Sequence, residues 1–246
     1  MPKLSIAIIA FNEERIIGQA LDSVKSISDE IIIVDSFSTD KTCEMAKSFG
    51  AKVIQEQWKG YAKQKNSALE KCTGDWILSL DADEVLTKDL REEIILAIKD
   101  PKDYQGFKIA RSLFMGNKKI KWGGYYPDYQ LRLVKNNIGA RFLDREVHES
   151  ISLDGKIGYL KSPLLHYAYE SISEYQQALK KYAKLASAEI SLNKANNPFL
   201  RAAWAFVYRY FFRLGFLHGD LGFQTVKAYS EYVYEKYYFA QERKYS

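Results

Sequence analysis

Cysteine and histidine are scarce, with two and three copies in 246 residues. Cys43 and Cys72 lie in segments with helical patterning and match no zinc or redox spacing, which excludes a metal-built or disulfide-built scaffold. Both read as packing residues of a reducing compartment. Long apolar runs are missing too. The run Leu4–Ala10 ends at Asn12, Glu13 and Glu14, too short to span a bilayer and with no small-residue cleavage site after it. The expectation is a cytoplasmic protein. Internal repeats and low-complexity linkers are absent. A Gly-rich, Lys/Arg-bearing phosphate loop is absent after the first apolar run, where Asn12-Glu13-Glu14 stands instead.

What is present excludes disorder: 47% of residues are hydrophobic and 14% aromatic. The length suits one α/β domain, alone or with a helical appendage. The net charge of +5 is unevenly spread. Residues 1–170 carry 25 Lys+Arg against 25 Asp+Glu, and residues 171–246 carry 11 against 6, so the basic excess sits in an aromatic C-terminal third. That pattern points to an anionic surface as partner rather than to nucleic acid.

The first hundred residues alternate strand and helix signals. Strands are expected at residues 4–10, 30–35, 51–55 and 75–80, and helices at 13–25, 39–49, 60–71 and 88–98, with Gly50 closing the second helix and Thr87 capping the fourth. Apolar strands between such helices imply an α/β fold with a doubly wound, mostly parallel sheet, whose ligands sit at the carboxyl ends of the strands. Past Pro101 the rhythm becomes strand-like, at 106–114, 129–134, 141–143 and 157–160. From Ser171 the signal is helical: Ser171 and Glu174 form a capping box, Pro198 opens a second helix, and a third runs from about Gly222. The expected organisation is an α/β domain over 1–170, whose halves 1–100 and 101–170 form the two sides of a cleft, followed by a helical extension over 171–246.

Leu80-Asp81-Ala82-Asp83-Glu84 ends the fourth strand. Two carboxylates two residues apart at a strand exit can both turn toward one divalent cation, and oxygen ligands suit Mg2+ or Mn2+; the alternative is a solvated acidic turn before the next helix. Asp35, at the end of the second strand, suits recognition of a ribose or base, while Asp40 or Thr39 caps the following helix. Phe11-Asn12-Glu13-Glu14 is a third polar cluster on the same rim. Gln130 and Arg132 alternate with Leu131 and Leu133 and so share one strand face; either one of them reaches a donor's phosphates or an acceptor, or Arg132 pairs with a structural carboxylate. His166 is either a further metal ligand or a hydrogen-bonded structural residue, and His218 reads as structural. Lys118-Lys119-Ile120-Lys121-Trp122 is either a solvated loop or a lid.

Together and in order, Ile6–Ile9 with Phe11-Asn12-Glu13-Glu14, Ile31 to Asp40, and Gly74-Asp75-Trp76 with Leu80 to Glu84 resemble the family 2 glycosyltransferases of GT-A fold. Tyr126-Pro127-Asp128-Tyr129-Gln130-Leu131-Arg132-Leu133 and Arg145-Glu146-Val147-His148-Glu149 are similar to the branch containing lipopolysaccharide core β-1,4-glucosyltransferases. The resemblance implies a GT-A catalytic domain in which Phe11, Asn12, Glu13, Asp35, the segment Lys63-Gln64-Lys65-Asn66, Asp81, Ala82, Gln130 and Arg132 bind the nucleotide-sugar. Asp81 and Asp83, with His166, hold Mn2+ or Mg2+. An inverting single displacement needs a carboxylate base opposite the departing diphosphate. Glu149 is the first choice, against a surface ion pair with Arg145 or Arg141, and Asp128 is the second, against a turn residue. The implied reaction moves a hexose, glucose by resemblance, from a UDP-sugar to a lipid-linked or lipopolysaccharide core saccharide. Two other readings stand: a nucleotidyltransferase of similar fold, and a non-catalytic membrane-associated scaffold.

Residues 198–217 carry Arg201, Arg209 and Arg213 within about 120° of one another on a helix. Spanning would place arginine near the bilayer centre at roughly 2.5–3.5 kcal/mol each. The expectation is a peripheral helix on the inner membrane, with arginines on anionic headgroups and Trp204, Phe206, Phe211 and Phe212 in the boundary; the alternative is packing on the catalytic domain or in a homo-oligomer.

Overall fold

The computed structural model describes residues 1–136, 138–143, 150–191 and 196–245. The chain forms two compact units: residues 1–111 with 128–167, and residues 112–127 with 168–246. The second unit therefore takes in residues 112–127 as well as the helical third expected from 171.

The first unit runs β1 (Leu4–Ala10), α1 (Ile17–Lys25), β2 (Glu30–Asp35), α2 (Thr42–Ser48), β3 (Lys52–Gln55), α3 (Tyr61–Glu70), β4 (Trp76–Asp81), β5 (Glu84–Leu86) and α4 (Lys88–Lys99). It continues through β6 (Tyr104–Met115), past β7 (Lys118–Lys119), to β8 (Asp128–Lys135), β9 (Arg141–Phe142), β10 (Ile151–Ser152), β11 (Lys156–Tyr159) and β12 (Leu164–Tyr169). Among the described residues the main sheet has the order β3-β2-β1-β4-β8-β6-β12-β5, with β7 and β11 on β6, and β9 pairs β10 separately. β1 to β4 are mutually parallel. β8 then enters antiparallel to both β4 and β6. The α/β fold is thus the expected one, with its parallel part in the first hundred residues and antiparallel strands added beyond.

Strand alternation explains how the sheet is covered. Ile6, Ile8, Ile31 and Ile33 face one core with Leu21 of α1 and Leu90 and Ile94 of α4. Ala7, Ile32, Val34 and Ile77 face the other with Ala62, Ala68 and Leu69 of α3. The central strands are apolar apart from buried Ser5 and Ser79 because both faces are dry, and each large aliphatic side chain so buried contributes about 1.5–3 kcal/mol.

The parallel register fixes the rim. Ala10 lies opposite Asp35 and Ile9 opposite Asp81, so β1, β2 and β4 deliver their last residues to one edge. Two helices start later than their apolar patterns suggest, α1 at Ile17 and α2 at Thr42. The residues before them form interlocked loops instead. Asn12 takes a left-handed backbone (φ 55°). The Asn12, Glu13 and Glu14 amides donate to Ser38 Oγ, Thr42 Oγ1 and Asp40 Oδ2. Asp40 also accepts from the Thr42 amide, at 3.0 Å, at the start of α2. Thr87 Oγ1 caps α4 by accepting from Leu90 N at 3.2 Å. The short strand β5 was not expected; Glu84 opens it opposite His166 of β12.

The second unit contains α5 (Ile172–Ala188), α6 (Pro198–Val207) and α7 (Gly219–Tyr245). Ser171 Oγ accepts from Glu174 N, and Glu174 returns a bond to the amide of Glu170 rather than to Ser171. Past α6 the chain passes through a π-helical turn (Tyr208–Phe212) and a 3-10 turn (Gly215–His218) into α7. The basic loop is anchored here: the amides of Lys121 and Trp122 both donate to His218 Nε2 at 2.9 Å. Accepting from both amides requires an unprotonated Nε2, in line with the depression of the His218 pKa by burial.

The expected headgroup-facing arginine stripe is corrected. Arg201 lies 4.4 Å from the Tyr237 ring centroid and Arg209 3.5 Å from that of Tyr229, and Arg209 also donates to Gly123 O. Cation–π stacking on the tyrosines of α7 satisfies these two guanidiniums inside the unit. Phe206, expected at a lipid boundary, packs edge-to-face on Phe223 at 5.8 Å. Where the 3-10 turn meets α7, a Cβ on Gly222 would fall 2.0 Å from the Gly215 carbonyl oxygen. We expect Gly222→Ala to force the turn off α7 and lower the urea midpoint by an amount equivalent to about 1–3 kcal/mol. An unchanged midpoint would show that the crossing is looser than the structure has it.

Candidate active site

The site is built at the exits of β1, β2 and β4, with β5, β6, β8, β12 and α3 closing around them. Asp81 ends β4, and its amide donates to Glu84 Oε2 at 3.0 Å, which folds the turn between β4 and β5 back on itself. Asp81 Oδ1 lies 2.8 Å from Lys65 Nζ and its Oδ2 2.6 Å from Arg132 Nη2. Arg132 Nη2 also meets Glu84 Oε1 at 2.5 Å. Glu84 is fully buried, so its charge depends on that guanidinium and on Arg111, 3.5 Å away. Arg111 in turn donates from Nε and Nη2 to Asp128 Oδ2, at 2.9 and 2.6 Å. Gln130 Nε2 bonds Asp128 Oδ1 at 2.7 Å.

The electrostatics follow from these contacts. Burial opposes the Asp81 charge, but Arg132 and Lys65 outweigh it and hold the carboxyl well below its usual range. Burial also opposes the charge of Asp83, and His166 more than offsets it. His166 Nε2 stands 3.3 Å from Asp83 Oδ2, and the imidazole pKa rises because of that carboxylate despite burial. Burial, and then the nearby Asp83, push the Glu13 carboxyl up to about 7, and Arg15 offsets them only in part.

Folded Glu13 therefore keeps its proton up to about pH 7, while unfolded Glu13 loses it near 4.5. Between those values the folded state binds more protons, so this residue makes stability fall as pH rises. We expect Glu13→Gln to gain stability relative to the parent across that window in metal-free buffer, measured as paired urea midpoints. A constant offset at all pH values would contradict the shifted titration.

The residues expected to bind donor divide into several groups. Phe11 is exposed on the rim and Ala82 is buried behind the turn. Asn12 Oδ1 accepts from Thr39 N at 2.8 Å and so braces the β1 and β2 loops against each other. Asp35 is buried, bonded to the Ser38 hydroxyl, to Ser38 N at 2.9 Å and to Gln55 Nε2 at 3.3 Å. In this state its carboxylate supports the loop. Lys63 lies on the exposed side of α3, whereas Lys65, about 200° further round, reaches Asp81. Asn66 brackets the backbone of Phe142 with two bonds, 2.9 and 2.7 Å, and Lys65 lies over the Phe142 ring. Gln130 and Arg132 share a face as expected, and both are spent on the acidic cluster. Glu149, with His148, lies outside the described residues; the flanking β9 and β10 are tied to α3 through Asn66.

Lys65 within its segment, Arg111 and Glu84 are the charged residues whose roles were not foreseen. A lysine at the spacing of Ala62 and Leu69 on an apolar helix face was a readable sign of a buried counterion. Phe37 is a further one: exposed, at φ 62°, in the loop after β2. A bulky residue in that backbone region costs of order 1–3 kcal/mol, and such strain concentrates at ligand sites.

The donor set fits a hard divalent cation. Asp83 and His166 offer an oxygen and an imidazole nitrogen side by side, both partly exposed. Among the described residues no three His, Cys, Asp or Glu side chains form a ready metal cage. Asp81, expected as a ligand, has its two oxygens on Lys65 and Arg132.

The sequence model of the family described as Glycosyl transferase family 2 matches residues 5–145. Relatives with similar sequences include a lipopolysaccharide core biosynthesis glycosyltransferase, LpsC, of Rhizobium meliloti (strain 1021). It is 33% identical over 234 residues, covering 89% of this chain and 83% of its own. An uncharacterized glycosyltransferase of Rickettsia typhi is 34% identical over 239 residues, covering 91% and 81%. Among solved structures, Staphylococcus aureus TarS (residues 1–349) in complex with UDP-GlcNAc aligns over 99% of this chain and 92% of its own, with 16% identity and a TM-score of 0.49.

Proposed function

Given that the chain belongs to glycosyltransferase family 2, we propose that it transfers a hexose from a UDP-sugar to a lipid-linked or lipopolysaccharide core saccharide, with inversion at the anomeric carbon. The observation that carries this reading is the charge arrangement at the rim. Asp81 is neutralised by Lys65 and Arg132, which leaves Asp83 and His166 as the pair open to a cation. Those two residues would hold Mn2+ or Mg2+. When bound, the ion neutralises charge on the departing diphosphate.

The chain's own residues do the rest. Phe11 offers an aromatic face beside the nucleotide, and the braced loops of Asn12 and Asp35 keep that wall rigid. Arg132 fixes the Asp81 carboxylate so that the turn carrying Asp83 does not drift. Asp128 is paired with Arg111, which holds its carboxyl below the usual range and makes it a poor proton acceptor at neutral pH. Glu149 is therefore the preferred base. The kinship to a lipopolysaccharide core enzyme supports the acceptor class, and glucose is the first sugar to test.

A transfer assay over a panel of UDP-hexoses tests this directly. One hexose should be used well above the others, with Mn2+ or Mg2+ required; indifference to every UDP-sugar would refute the donor assignment. Glu149→Gln should lower kcat by about 10²–10⁴ while UDP affinity holds, as expected for loss of a general base. A kcat within a few fold of the parent would move the base elsewhere.

A further inference from the structure

α6 and the π-helical turn after it have two different sides. One packs on α7: Ala202 is buried, Ser230 Oγ donates to its carbonyl, and Phe206 and Tyr210 meet Phe223. The other holds Leu200, Trp204, Tyr208, Phe211 and Phe212, all exposed, with Phe212 at 67% and Trp204 at 61%. Trp204, Tyr208 and Phe212 follow one another at i, i+4 and i+8, and their rings lie about 6 Å apart in sequence, 6.2 and 6.3 Å between centroids. This is a continuous aromatic ridge, far beyond the isolated exposed apolar residue that any surface carries.

The segment that bears the ridge carries charge of one sign. Residues 190–219 contain no Asp or Glu. The exposed Lys118 and Lys119, with Lys121, belong to the loop pinned to this hairpin through His218 and through the Gly123 amide on Arg213 O at 2.8 Å. The second unit as a whole carries 14 Lys+Arg against 7 Asp+Glu, while the first carries 22 against 24. The basic excess of the chain is therefore confined to the unit that bears the ridge. Arg201 and Arg209 are half-buried against tyrosines, whereas Lys118, Lys119, Lys121 and Arg213 are exposed, Lys119 and Lys121 beside the Tyr126 and Trp122 rings, and can meet an outside anion.

We infer that this ridge is a membrane-interface surface, seating Trp204, Phe211 and Phe212 among the acyl–headgroup boundary of an anionic bilayer while Lys118, Lys119 and Lys121 meet the headgroups. No helix among the described residues is long and apolar enough to cross a membrane. The chemistry is that of an element lying in the interface plane, where aromatic rings and basic groups act together. A second copy of the chain fits less well, because two such faces would bring like-charged rims together.

The test is flotation of the full chain with vesicles of phosphatidylcholine containing phosphatidylglycerol, and with phosphatidylcholine alone, alongside light scattering of the free protein. The parent should float with the anionic vesicles and much less with the neutral ones. Trp204→Ser with Phe212→Ser should weaken vesicle binding about tenfold or more, which corresponds to roughly 1.4 kcal/mol. Lys118→Gln, Lys119→Gln and Lys121→Gln together should remove the preference for anionic lipid. Thermal melting checks that the variants fold. Quenching of parent tryptophan emission by brominated lipid, lost in Trp204→Phe, gives a readout that needs no disruptive change. The inference is overturned if the parent ignores vesicles, if the Trp204/Phe212 variant floats like the parent, or if that variant only converts a dimer to a monomer. None of these readouts depends on donor or metal binding, so the result is separate from the transferase assignment.

Discussion

Asp83→Ala abolishes sugar transfer and leaves the fold intact: this is the largest effect we expect from a single truncation. Among the described residues the side chain of Asp83 pairs with His166, and it is partly exposed, so its removal opens no cavity in the core. The bond that joins the turn to β12 is made by the backbone, from Tyr167 N to Asp83 O at 2.9 Å, and survives truncation. What disappears is the carboxylate that holds the cation. Steady-state transfer and thermal melting on the same preparation decide the matter. Activity near that of the parent would remove Asp83 from the metal site, and a collapsed melting transition would assign it a structural duty instead.

Arg132→Leu should have the largest effect on stability. The guanidinium is buried and serves Asp81 and Glu84 at once. Without it, fully buried Glu84 keeps the Asp81 amide at 3.0 Å and, as counterion among the described residues, Arg111 at 3.5 Å. Breaking one side of a buried ion cluster costs about 3–5 kcal/mol, because the remaining charge is stranded away from water. Urea unfolding should show that loss, and transfer should fall with it as Asp81 is released. Arg132→Leu combined with Glu84→Gln should recover part of the stability, since the stranded charge is then gone. A combined variant no more stable than the single one would show that Arg132 acts through packing rather than charge.

The parallel half of the fold was readable because each strand is apolar on both faces and each helix has a single buried stripe; β1 and β2 begin and end where their patterns do. The helix starts were misjudged by three or four residues, since Glu13 and Thr39 have acceptable helical neighbours and nothing local reveals the cross-bonds between the two loops. β5 was invisible: three residues after an acidic turn become a strand only because β12, some eighty residues later, pairs with them. The rim carboxylates were legible from position alone. Their partners were less so. Lys65 and Lys63 look alike in sequence, and only the helical phase against Ala62 and Leu69 separates them. Arg111 sits mid-strand, and its role appears only once β6 and β8 are neighbours. The arginines of the C-terminal third were read as a surface stripe because the tyrosines that receive them lie on another helix.

A cation held by Asp83 and His166 beside a nucleotide diphosphate is tested most directly by calorimetry of UDP binding. UDP should bind appreciably only when Mn2+ or Mg2+ is present, with affinity rising as pH increases through the titration of His166, because the metal competes with its proton. Asp83→Asn should lose the metal dependence. Equal UDP binding with and without the ion, in parent and variant alike, would contradict the assignment.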